Sequence, residues 1–191
     1  MFSCFRSCSE SPFFLLFGFN KNNNNSNNNY GADRSQKALS SKLSNSSPKK
    51  NYRVIKPFDK RTSDETLIAC RSWVNYIHPR AKDFWKTSEQ IFHILSSICQ
   101  NIDRADDPIL GGEENCVQWH GELAAEDGSP VIRILRPGEV DECQTYVNRI
   151  LAFLYADDES FLELQKKPPV AFTMACDDPL CINITHIYMD D

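Results

Sequence analysis

The chain is 191 residues long, 41% hydrophobic and 25% charged, a mixture that fits a folded globular protein rather than a fibre. A length of that order supports one core of roughly 100–150 residues plus a tail, and excludes a catalyst with separate cofactor and substrate lobes. The net charge of −5 conceals an asymmetry: residues 1–61 hold 11 Lys and Arg against 3 Asp and Glu, residues 62–191 hold 10 against 23, so a tail at +8 precedes a body at −13. Such a body repels a phosphate backbone unless its few cations gather on one face.

The longest apolar run, Phe13 to Phe19 with Gly18 inside it, falls far short of the roughly 20 residues that span a bilayer. It is also a poor secretory signal, because Glu10 precedes it and an Asn tract follows where a small-residue cleavage site belongs. A nuclear or cytoplasmic chain is expected. Cys4 and Cys8 could carry palmitate, although no sequence rule makes that specific. Eight of the ten residues from Asn20 to Asn29 are Asn, and Ser, Asn and Lys dominate onward to Lys50. So little apolar surface predicts a disordered tail over 1–54 and a folded domain over 55–191. The basic residues Lys49, Lys50, Arg53, Lys56, Lys60 and Arg61 sit at the junction, placed to meet nucleic acid or to rest on the acidic domain.

Within the body, Leu67, Ile68, Trp73, Val74 and Ile77 recur at near-helical spacing, predicting a helix from Ser63 that ends near His78, before Pro79. A second helix is expected from Thr87, where Gln90 completes a capping-box pattern; it carries Ile91, Phe92, Ile94, Leu95, Ile98 and Ile102. Residues 104–115, with Asp106-Asp107-Pro108 and Gly111-Gly112, read as a loop. Short strands are expected at Cys116–Trp119 and Pro130–Leu135, around a turn at Gly128. A third helix is read from about Val140 to Tyr155 and a fourth over Glu159–Gln165. Pro168-Pro169 stops the last helix, and Val170–Met174 reads as a strand. The fold class expected is α+β.

Eight cysteines in a chain without a good secretory signal direct attention to spacing rather than to disulfides. In Cys176-Asp-Asp-Pro-Leu-Cys181-Ile-Asn-Ile-Thr-His186, three soft donors sit at five-residue intervals with Pro179 available to turn the loop. Zinc takes four donors in a tetrahedron, so a fourth is sought elsewhere. Cys116, Cys143, Cys99 and His120 are candidates. Cys116 is preferred because it opens a strand before a turn, whereas Cys143 and Cys99 fall on apolar helix faces where a free thiol is ordinary core; His120 is second choice. The alternative is that Cys176 and Cys181 are buried thiols and His186 a strand histidine.

Cys116-x-x-Trp119-x-Gly121, followed by Cys176-x4-Cys181-Ile-Asn183-x-x-His186, resembles the zinc-binding loop of the His-Me finger (HNH-type) homing endonucleases. The ending is also similar to that of the Smad DNA-binding domain, with Asn183 matching and Ile184 in place of the usual Pro. Asn148-Arg149, before Leu151-Ala152, resembles the family's His-Arg stretch. The resemblance covers Cys116 to His186. It implies one structural zinc on Cys116, Cys176, Cys181 and His186 in a truncated ββα-metal-like fold. The chemistry departs from the family: its general base stands two residues before the first loop Cys, where this chain has Met174. The family's later helix, bearing a magnesium ligand, would fall past Asp191. Asp190 and Asp191 could hold a hard cation but read as a solvated end.

Three functions follow. One is a catalytically inactive, nuclease-derived domain retained for DNA binding, with Lys49 to Arg61 and Arg133, Arg136 and Arg149 meeting phosphates. The second is a protein-interaction module in which zinc holds a small fold together and acidic faces meet a basic partner. The third is an active endonuclease using His120 as base. His78 and His93 read as helix residues with polar tips, and Asp157-Asp158-Glu159 as a helix start.

Overall fold

Three helices open the folded part of the chain, and their boundaries follow from local capping chemistry. A computed structural model describes residues 57–189. The tail, the Phe13 to Phe19 run, Cys4 and Cys8, the basic residues from Lys49 to Lys56, and Asp190 and Asp191 lie outside the described residues.

Helix α1 (Ser63–Val74) starts at Thr62, whose hydroxyl accepts from the Glu65 N–H at 3.3 Å while the Glu65 carboxylate accepts from the Thr62 N–H at 2.8 Å. This reciprocal pair satisfies two backbone donors at the helix start. The helix stops at Val74, short of the His78 expected from periodicity, because Pro79 opens a further helix. That helix, α2 (Pro79–Trp85), was not expected. Proline at its first position lacks a donor that would go unbonded anyway and has φ already set for a helix. His78 caps it, Nδ1 accepting from the Arg80 N–H at 3.4 Å, and Lys86 in the left-handed region (φ 58°) ends it.

Helix α3 (Ser88–Gln100) begins where predicted, but the capping box at Thr87 does not form. The Thr87 hydroxyl instead donates to Gln90 Oε1 at 3.1 Å. Trp73, Trp85, Leu95, Ile98 and Ile102 are fully buried where these helices meet. The Trp73 indole donates to Asp107 Oδ2 at 3.0 Å, and Asp107 Oδ1 accepts from the N–H groups of Ile109 and Leu110 at 2.9 and 2.8 Å. One carboxylate thereby ties the 104–115 loop to the helical core.

Strand β1 (Val131–Leu135) pairs antiparallel with β2 (Glu142–Tyr146) in a two-stranded sheet, Val131 opposite Tyr146 and Ile134 opposite Cys143. The second strand corrects the sequence reading, which ran a helix through 140–146. Val140, Cys143 and Tyr146 mimic helical spacing, but pairing with β1 is a non-local gain that periodicity cannot register. Helix α4 (Val147–Tyr155) follows, every residue from Val147 to Leu154 being buried, Asn148 and Arg149 among them. Phe153 packs edge-on against Trp85 and Phe84. Helix α5 (Asp158–Gln165) starts at Asp157, whose Oδ1 accepts from the Ser160 N–H at 2.8 Å. A short 3₁₀ turn (Ile184–His186) lies near the end of the described chain.

The other two expected strands do not form. Residues 116–119 and 170–174 contribute only isolated bridges, Gln118 to Cys181 and Met174 to Ile187. Among the described residues the fold is α+β, with five α-helices and one small two-stranded sheet. No helix among the described residues is long and apolar enough to cross a membrane.

Candidate metal centre

The 116–119 segment is extended even without a ladder. Its backbone pairs with the 180–182 segment: Trp119 N–H donates to Leu180 O and Ile182 N–H to Val117 O, each at 2.9 Å. This pairing sets Cys116 beside Cys181. The Trp119-x-Gly121 pattern has a steric cause, since a Cβ on Gly121 would lie 2.5 Å from the Trp119 ring. The indole, 4% exposed, donates to Glu122 O at 2.9 Å.

The Cys176–Cys181 loop is turned by its two aspartates. Asp177 takes φ 57°, a conformation that a short polar side chain tolerates. Asp178 Oδ1 accepts from the Leu180 N–H at 3.1 Å, and its carbonyl accepts from the Cys181 N–H at 3.1 Å. Asn183 then joins this loop to the one bearing Cys116. It is buried, donates from Nδ2 to Gly112 O at 2.8 Å and Asn115 O at 2.9 Å, and accepts at Oδ1 from the Thr185 N–H and hydroxyl. All four of its bonding positions are spent on the scaffold.

The result is a cluster in which one ligand atom each from Cys116, Cys176, Cys181 and His186 lies within 4.8 Å of all the others, an arrangement that can hold a metal ion. His186 Nδ1 is 3.8 Å from Cys116 Sγ and 3.5 Å from Cys181 Sγ. Its Nε2–H donates to Glu113 O at 2.7 Å, which fixes the ring and presents the Nδ1 lone pair to the sulfurs, as in histidines that ligate metals.

Ionisation in the cluster is uneven. Burial pushes the Cys181 thiol up to about 12, reinforced by Cys176 and Cys116 and opposed by the Asn183 and Val117 N–H groups. At Cys176 burial also raises, but the Asp178 N–H, Cys116, His186 and Cys181 outweigh it and the thiol ends below its ordinary value. The Glu113 carbonyl, against burial and with help from Cys176, raises His186. A bound cation would offset the cost of several buried thiolates.

The other candidates lie elsewhere. His120 is exposed and stacks on Phe58 with ring centroids 4.4 Å apart. Cys99 is buried on α3, across from Cys70 of α1. Cys143 is on β2, not on a helix, and half-buried. His78 caps α2 and His93 is exposed on α3.

Asn148 and Arg149 support the loop rather than face solvent. Arg149, fully buried, donates to Val170 O and Pro168 O and lies over the Phe172 ring at 4.2 Å. Burial lowers its pKa to about 10, against the Tyr146 charge. Asn148 donates to Phe172 O at 2.9 Å. The carbonyls of 168–172 are thus met by side chains of α4, which is why this segment reaches Cys176 without a partner strand. The sequence signal was two adjacent polar residues inside an otherwise apolar helix.

Several other arginines are committed too. Arg133 forms a two-bond fork with Glu122 at 3.1 and 3.0 Å, Arg136 pairs with Glu139 at 2.5 Å, Arg104 with Glu65 at 3.2 Å and Arg80 with Asp158 at 3.2 Å. Arg61 donates to Cys99 O and Asp106 O. No family model, no curated protein and no solved structure matches the chain.

Proposed function

We propose that residues 55–191 form a zinc-knit domain of nuclease descent that performs no hydrolysis and works by binding a basic protein partner. The four-donor cluster carries this reading. Zinc takes thiolate sulfur at about 2.3 Å and imidazole nitrogen at about 2.0 Å in a tetrahedron, so the sulfur–nitrogen edges should be about 3.5–3.6 Å. The two separations of 3.8 and 3.5 Å match with little adjustment. Three thiolates and an imidazole are soft donors suited to zinc, and all four positions are filled by protein, as in a structural rather than a catalytic site.

The non-catalytic character rests on Met174. The resemblance puts the general base at this position, and a buried thioether takes no proton from water. The preference for a protein partner rests on the engagement of the three arginines expected to meet phosphates, together with the charge of −13 over residues 62–191. Arg149, one expected phosphate contact, is buried, and Arg133 and Arg136 are neutralised by adjacent glutamates.

DNA binding through Lys49 to Arg61 is the second reading. It is favoured by the meeting of Cys116 with the downstream loop, as the resemblance to nuclease and Smad domains implies. Of that segment, Lys60 is exposed.

The test is elemental analysis of the full chain beside Cys116→Ser and Cys181→Ser. One zinc per chain, reduced in both variants, is expected; a folded, zinc-free wild-type chain would refute the proposal. Duplex DNA bound with a steep salt dependence would replace the protein partner with the second reading. Magnesium-dependent nicking by the wild-type chain would revive the endonuclease.

A further inference from the structure

Beside the metal centre, α4 and the 170–174 segment border a cleft of about 320 Å³ that the zinc does not use. Its walls include Val170, Phe172 and Met174, and three carboxylates line it, those of Asp127, Asp177 and Asp178. A cluster of acids alone marks no site. Here a second observation points to a ligand: Asn148, which also lines the cleft and is only 6% exposed, has its Oδ1 buried with no hydrogen-bond partner. Its other end is engaged, Nδ2 donating to Phe172 O at 2.9 Å and lying 3.8 Å from Met174 Sδ.

A buried acceptor without a donor carries a desolvation cost in the unliganded fold, and a ligand that donates to it recovers that cost on binding. The carboxylates define the charge of the donor. Asp127 accepts from the Ser129 N–H at 2.9 Å and from the Tyr146 hydroxyl, and Asp178 from the Leu180 N–H and Gln118. A carboxylate has about four acceptor sites, so Asp127 keeps capacity for a ligand. Arg149, next to Asn148 in α4, donates from its guanidinium to Pro168 O and Val170 O. Apolar walls, a negative lining and a hidden acceptor together fit a group with an aliphatic stem and a cationic, donor-rich head.

We propose that this cleft receives an arginine or lysine side chain of the protein partner, the head donating to Asn148 Oδ1 in the field of Asp127 and Asp177. The inference rests on the protein-partner reading and deepens it. Oδ1 is buried, so reaching it takes a shift of a neighbouring side chain; Met174, which touches the same amide at Nδ2, is an unbranched thioether able to repack at small cost. A nucleic-acid phosphate is repelled by the same carboxylates.

The test uses the full, zinc-loaded chain, labelled with ¹⁵N and titrated with Nα-acetyl-arginine N-methylamide, its lysine analogue, and the uncharged citrulline analogue. The expected result is amide shifts concentrated at 127–129, 148 and 172–178, with citrulline binding at least tenfold more weakly than the better cationic probe. Asp127→Asn and Asp177→Asn should each weaken that probe about threefold or more; asparagine also tolerates the φ of 57° at position 177. Equal response to citrulline, shifts elsewhere, no shifts at all, or duplex DNA shifting the same amides would overturn the proposal. Zinc content of the same sample is read separately, so a zinc-free folded chain sinks the zinc reading while the arginine-to-citrulline ratio decides the cleft.

Discussion

The helical part and the metal-centre part of this domain are held by different forces. In α1, α3 and α4 the stabilising term is apolar burial: Leu95, Ile98, Ile150, Leu151 and Leu154 are fully buried, each contributing about 1.5–3 kcal/mol relative to exposure. Residues 108–123 and 170–188 instead have isolated bridges, one 3₁₀ turn and a set of polar clamps, with Asn183, Arg149, Asn148 and His186 satisfying backbone groups of neighbouring segments. Val117, Trp119, Phe172 and Ile182 anchor the second part in the same apolar core, but between these anchors its loops are closed by the polar clamps and the four-donor cluster rather than by helix or sheet.

On the zinc reading proposed above, the largest effect should therefore come from removing the metal. Chelation, or Cys181→Ser, is expected to strip protection from amides of 116–123 and 174–188 in hydrogen exchange while those of α3 and α4 stay protected. Structural zinc supplies apparent free energies of order 10 kcal/mol in small peptides, ample to account for the order of that region. Loss spread evenly over both parts would show one cooperative unit and remove the distinction drawn here. Next in size, Leu151→Ala should cost about 2–5 kcal/mol in denaturant unfolding by leaving a cavity in the helical core. It should leave one metal per chain in place; loss of metal in this variant would mean that α4 sets the ligand geometry directly.

Asn183→Leu sharpens the comparison from the other side. The change leaves the carbonyls of Gly112 and Asn115 without their shared donor and frees the loop that carries Cys116 and the His186 partner Glu113. Metal affinity, measured by competition with a chromophoric chelator, should fall about 10–100-fold, the usual effect of losing a group that orients ligands. Asn183→Asp keeps the acceptor for Thr185 but loses both donors, so it should behave like Leu; wild-type affinity in both variants would remove Asn183 from the account.

Which of these features could be read in advance follows the same division. The gathering of Cys176, Cys181 and His186 was legible because soft donors at fixed spacing are rare, Cys116 was added to them from its place at an expected strand opening and from the resemblance, and α3 and α5 were legible because their signals are local. What was missed depended on distant partners. Residues 142–146 became a strand because β1 lies beside them, and Val170–Met174 failed to become one because Arg149 and Asn148 took its carbonyls. The role of Arg149 was inverted for the same reason: as a sequence letter it was a phosphate contact, and only the fold shows a buried guanidinium on two carbonyls. Pro79 was read as a stop because the pattern before it was apolar, although proline starts helices as readily as it ends them.

The smallest prediction concerns two threonines with the same local pattern. Thr62 and Thr87 both precede a Glu or Gln by three residues, yet only Thr62 forms the reciprocal cap. Thr62→Ala should cost about 1 kcal/mol at pH 7, in the range for a lost N-cap, and Thr87→Ala close to nothing. The cap is also sensitive to acid. The Thr62 N–H and hydroxyl, assisted by Arg104 and Arg61 and opposed by slight desolvation, hold the Glu65 carboxyl below its ordinary value of 4.5. A carboxyl lowered in the folded state contributes stability in full above its unfolded pKa and loses it as pH falls through the folded value. The gap between wild type and Thr62→Ala should consequently be constant from pH 7 to about pH 5 and narrow below about pH 4.5. A gap unchanged at pH 3, or equal losses for the two threonines, would show that the reciprocal bond does not set the start of α1.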